Sequence, residues 1–108
     1  MDPLKEIDQA QLSFFEKKNA KKLLLNFAKK GGLLCKEAQV KIFKMSPEDS
    51  KQIIEAYIKH WALHSSAQAK LIKHPDADLL VALYNVKFVM SEKIRKRWYN
   101  LKKRAISK

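Results

Sequence analysis

Three histidines, one cysteine and a close pair of aspartates are the residues whose types and spacing invite a chemical reading. His60 and His64 have the i, i+4 spacing that places two metal ligands on one face of a helix. Trp61, Ala62 and Leu63 between them fall where one helix should end and the next begin, and no carboxylate follows before Asp76. The pair therefore reads as solvent-facing histidines near a helix C-terminus, where positive charge suits the dipole. Cys35 has Lys36 beside it, which could lower a thiol pKa, but with Leu34 on its other side it reads as a small buried apolar residue. Asp76 and Asp78 flank Ala77 at an expected helix start, where capping explains them better than acid or base chemistry. The only glycines, Gly31 and Gly32 in "AKKGGLL", follow no strand and match no phosphate-binding spacing, so they predict a helix C-cap and turn. No catalytic residue, metal site or cofactor is expected, and no small-molecule substrate is evident.

Charge is the stronger signal. Lys and Arg number 23 against 11 Asp and Glu, a net charge of +12, which draws phosphate-bearing or acidic partners over long range. "KIRKRWYNLKKRAISK", from Lys93 to Lys108, holds eight basic residues and no acidic one. Read as a helix, it turns Ile94, Trp98 and Leu101 inward and covers the rest with Arg95, Lys96, Arg97, Lys102, Lys103 and Arg104. Tyr99, if exposed, can stack on a base. Lys41 and Lys70, each three residues after an alanine in the recurring phrase described next, and Arg97 in the same register, form an expected basic row. The candidate anion-binding set is thus Lys41, Lys70, Arg95, Lys96, Arg97, Tyr99, Lys102, Lys103 and Arg104. Nucleic acid or another polyanion is the expected partner; an acidic protein bound by an interaction adaptor or structural component is the alternative. A membrane-surface role for the basic helix is weakened because Trp98 and Leu101 are already assigned to the core. A single cysteine, no signal-like segment and no membrane-length apolar run point to a cytoplasmic protein.

The elements that must position these residues follow from a phrase written three times: "AQLSFF" at Ala10, "AQVKIF" at Ala38 and "AQAKLI" at Ala67, 28 and 29 residues apart. Each alanine is followed by an apolar pair four and five residues on: Phe14 and Phe15, Ile42 and Phe43, Leu71 and Ile72. A break comes next, then a second apolar helix carrying Leu23, Leu24 and Phe27, then Ile53, Ile54 and Tyr57, then Leu80, Val81 and Tyr84. Leu34 and Leu63 precede their alanines by four residues. Carried forward, that rule puts Met90 at the leucine position, Ile94 at the alanine and Trp98 with Tyr99 at the pair. Scarce glycine and proline favour helices throughout.

This pattern resembles the α-solenoid class typified by HEAT and armadillo proteins, in a compact form like the helix-hairpin repeats of some bacterial proteins, with units of about 28 residues rather than about 40 or more. The resemblance implies an all-α, right-handed α-solenoid in a single domain, residues 1–108. Residues 1–9 would form an N-terminal cap, 10–37, 38–66 and 67–92 three two-helix repeats, and 93–108 a basic half repeat. An irregular helical bundle is the alternative.

Overall fold

Helix ends are set by caps. At the first glycine pair the chain takes a left-handed step, with φ of +80° at Gly31, and the Gly31 and Gly32 N–H groups donate to the Ala28 and Phe27 carbonyls at 3.1 and 2.9 Å. This double closure satisfies carbonyls that the helix end leaves open. A Cβ on Gly32 would lie 2.5 Å from the Phe27 ring. Cys35 caps the next helix with its Sγ accepting from the Ala38 N–H at 3.4 Å. Ser46 caps the one after, accepting from the Asp49 N–H at 3.3 Å, with Pro47 in the first turn where its missing N–H costs nothing. His64 takes the same capping position for a further helix.

The computed structural model describes residues 9–106. Residues 9–12 are helical and run into a 3-10 turn, Ser13–Glu16. Six α-helices follow among the described residues: α1 (Ala20–Lys29), α2 (Lys36–Ile42), α3 (Pro47–Tyr57), α4 (Ser65–Leu71), α5 (Ala77–Lys87) and α6 (Glu92–Ile106). The protein is all-helical, with no strand among those residues. Long helices α1, α3 and α5 pack successively on one another, and α2, α4 and α6 do the same. The core lies between the two rows, around Leu24, Leu34, Ile42, Ile53, Ile54, Tyr57, Leu63, Leu71, Leu80, Tyr84, Met90 and Ile94.

The residues expected to pack do so unevenly along the chain. Ala38 and Ala67 are fully buried between neighbouring helices, whereas Ala10 is exposed. The first phrase also loses its α-helix at Ser13, tightening into the 3-10 turn that leaves Phe14 and Phe15 half-buried. Met90 and Ile94 are buried as the register requires and Trp98 is half-buried, but Tyr99 is exposed. Leu101, expected inward, is 41% exposed because it lies past the last turn that the core covers. Most of the expected N-terminal cap lies outside the described residues.

The second letter of the phrase, glutamine, ties neighbouring helices together. Gln39 and Gln68 are buried. The Gln39 amide nitrogen donates to the Leu34 carbonyl at 3.0 Å and the Tyr57 hydroxyl at 3.2 Å, and its oxygen accepts from the His64 N–H at 2.8 Å. Gln68 repeats the set with Leu63 (2.8 Å), Tyr84 (3.2 Å) and the Ser91 N–H (2.9 Å). Each tyrosine hydroxyl also accepts a backbone N–H, that of Leu34 for Tyr57 and that of Leu63 for Tyr84. Gln11 makes a shorter version, accepting from the Cys35 N–H and donating to the Leu33 carbonyl; Phe27, which stands where the other units have tyrosine, has no hydroxyl to add. In each case the acceptor takes the N–H of the residue that precedes the next helix in its row, α2, α4 or α6, and so fixes where that helix begins. Buried polar groups so fully paired specify position as well as contribute stability.

Candidate functional site

From Glu92 to Ile106 the basic C-terminal segment is one uninterrupted helix. After Ile42 and Leu71 the chain carries "KMSPEDS" and "KHPDAD", whose serine, proline and aspartate end the short helices; after Trp98 no such residue intervenes, and α6 continues to Ile106. Ile94 and half-buried Trp98 anchor its first half. Lys102 secures the second half, with Nζ 2.8 Å from the Asp78 carboxylate and 5.2 Å from the centre of the Trp98 ring. Lys102 is thereby engaged within the protein.

On the opposite side of α6, Arg95 and Tyr99 stand one turn apart, with Lys96 and Asn100 alongside and Lys103 a further turn on. Glu92, Arg95, Lys96, Tyr99 and Asn100 line one shallow depression. Tyr99 is 67% exposed, although its neighbour Trp98 is tucked beneath the helix. Lys96 pairs with Glu92 one turn earlier at 3.4 Å, an exposed contact worth at most a few tenths of a kcal/mol and readily exchanged. Arg95, Arg97 and Lys103 are exposed and carry no ion pair among the described residues. Arg104 is exposed on the flank of the same helix.

The remaining members of the expected basic row differ in setting. Lys41 is half-buried, its ammonium 5.8 Å from the centre of the Phe15 ring. Lys70 is exposed beside Lys73 and His74 at a depression floored by Phe43 and Met45. Their helices, α2 and α4, are neighbours, as are α4 and α6. The geometry therefore groups Arg95, Lys96 and Tyr99 on one surface and gives Lys41 and Lys102 partners of their own.

Lys59 and Lys87 belong to no basic set read from the sequence. Lys29, Lys59 and His60 line a depression between α1 and α3, and Lys59 with Lys87 lines the next one, between α3 and α5. The Lys87 ammonium donates to the Lys59 carbonyl at the end of α3. These cations sit where successive helix C-termini converge, favourable to the dipoles. Lys29 and Lys87 stand in the last turns of α1 and α5, and Lys59 lies two residues past the end of α3.

The histidines settle into structural roles. His60 and His64 do not share a helix face, because α3 ends at Tyr57 and His64 opens the way into α4. His60 lies against Gly31, and His64 Nδ1 accepts from the Ser66 N–H. His74 lies 2.9 Å from the Ser50 hydroxyl, superficially a nucleophile and base. However, its Nδ1 accepts from the Asp76 N–H at 2.9 Å, which leaves the proton on Nε2, facing Ser50 and the Pro47 carbonyl. A base must present a bare nitrogen to the hydroxyl, and Ser50 is 1% exposed. This cluster clips the α4–α5 loop to the start of α3. No group of three or more metal-ligating side chains occurs among the described residues, and none of their helices is long and apolar enough to cross a membrane.

No protein-family model, curated protein or solved structure matches this chain.

Proposed function

We propose that this chain is a non-catalytic binding module, a short right-handed α-solenoid of two-helix units, that associates with nucleic acid through the outer face of α6. The recurring glutamine ties, from Gln11 to Cys35, Gln39 to His64 and Gln68 to Ser91, support the solenoid reading, as do the two rows of like helices. The observation that carries the function is Tyr99: an aromatic ring 67% exposed, flanked by Arg95 and Lys96 on a surface that the fold does not use. Cations provide phosphate contacts and the ring a stacking platform, the combination that single-stranded nucleic acid accepts without sequence preference. Lys103, one turn beyond Tyr99, extends the positive face, while Arg97 and Arg104 on the other flank of the helix and Lys41, Lys70 and Lys102 contribute charge at longer range.

Tyr99→Ala removes the ring without touching the core, and stacking losses of about 1–3 kcal/mol per base predict roughly five- to hundredfold weaker binding of a fluorescent single-stranded oligonucleotide. Unchanged affinity would move the site off this face.

A further inference from the structure

We propose that the groove between α3 and α5 is a docking site for an amphipathic helix of a partner protein, with acidic residues flanking its apolar stripe. α5 is apolar on two faces, with Asp78 and Asn85 on a third. Leu80, Val81 and Tyr84 fill the core, but Leu79, Leu83 and Val86 also stand exposed at 44, 40 and 79%, with the i, i+4, i+7 spacing of one continuous stripe. Stacking does not require large apolar residues there: the corresponding positions in and just after α3 are Gln52, Ala56 and Lys59. Leu83 and Val86 form a groove wall with Ile58 at its base, and Glu55, Lys59 and Lys87 stand at its edges. A stripe of this spacing in a groove is the surface that a helix with its own i, i+4, i+7 apolar residues fits.

Charge decides the occupant. The groove adjoins the α1–α3 depression, shared through Glu55 and Lys59, so Lys29, Lys59 and Lys87 face Glu55 alone along its length. Carboxylates beside the partner's apolar stripe would meet these lysines. A second copy of this chain would bring Lys59 and Lys87 against their own kind on a molecule of net charge +12, a like-charge arrangement that disfavours association.

Three fluorescein-labelled peptides test this: a helical peptide with leucine at the i, i+4, i+7 and i+11 positions and glutamate around them, its lysine-for-glutamate counterpart, and a scramble of the acidic one. The acidic amphipathic peptide should bind the wild-type protein on the order of tenfold or more tightly than either control. Leu83→Glu with Val86→Glu should abolish that preference, and Lys59→Glu with Lys87→Glu should weaken binding about as much; circular dichroism confirms the fold, and Val86→Lys alone serves if the double variant melts early. Arg95→Glu with Lys96→Glu should leave the peptide bound, which separates this groove from the α6 face. Equal binding of the scramble, or affinity indifferent to Leu83 and Val86, overturns the proposal. So does self-association in sedimentation velocity that Leu83→Glu with Val86→Glu removes, or oligonucleotide binding that the same pair eliminates.

Discussion

A buried primary amide has to place two donor hydrogens and an oxygen, and Gln39 and Gln68 place all three, on a carbonyl five residues back, a tyrosine hydroxyl of the following helix and the backbone N–H that precedes the helix after it. Replacing Gln68 by alanine leaves the part-buried Ser91 N–H without its partner and the Leu63 carbonyl with only the Tyr84 hydroxyl at 3.5 Å, at about 1–3 kcal/mol for each group that loses its bond. The expected loss of roughly 2–4 kcal/mol lowers the melting temperature by about 10 °C or more in a chain of this size. Gln11→Ala, at a half-buried site, should cost about 1 kcal/mol or less; equal losses at Gln11 and Gln68, measured by thermal denaturation, would contradict the burial argument. The tyrosines add a pH signature. Burial pushes the Tyr57 and Tyr84 hydroxyls above their ordinary value of 10.0, against the lowering effect of their hydrogen bonds to Leu34 and Gln39, and to Leu63 and Gln68. The unfolded chain then ionises first on going alkaline, while the folded chain keeps its protons. The contribution is whole below about pH 10 and is lost as pH rises toward the folded values. Melting curves should fall more steeply above about pH 10 in the wild type than in Tyr57→Phe with Tyr84→Phe, and parallel curves would exclude this source.

At the scale of elements, an all-helical chain was legible because apolar residues recur at helical spacing and because serine, proline and glycine mark the breaks. The function of the recurring glutamine was not legible. A polar letter on an amphipathic helix reads as solvent-facing, and only the fold shows a backbone N–H from the next unit arriving at its oxygen. The same limit applies to Tyr99, whose register matches buried Ile72 yet whose side chain is exposed, because α6 runs on where the earlier short helices break. The alanines are a direct test of packing. Ala67→Leu overfills a contact that is fully buried and should cost about 1–3 kcal/mol, while Ala10→Leu, at an exposed position, should be close to neutral in the same denaturation experiment.

For the whole molecule, a net charge of +12 on a body of 50 × 27 × 21 Å was evident from composition; its placement was not. Some of the basic residues are absorbed locally: Lys102 by Asp78, Lys21 by Asp49 at 3.1 Å, Lys41 against Phe15. Arg95, Lys96, Arg97 and Lys103 stay exposed on α6 and Lys59 and Lys87 near the ends of α3 and α5, while Lys17, Lys18, Lys22, Lys36, Lys44 and Lys73 are exposed elsewhere. Phosphate contacts release counterions, so the logarithm of affinity should fall linearly with the logarithm of salt concentration, with a slope of about −0.7 per phosphate for a single strand. The most direct measurement is that slope for a fluorescent single-stranded oligonucleotide, in the wild type and in Arg95→Glu with Lys96→Glu and Lys103→Glu. The account predicts binding at low salt, a steep slope, and a slope shallower by about two in the variant. No binding at low salt, or an identical slope in the two proteins, would contradict it.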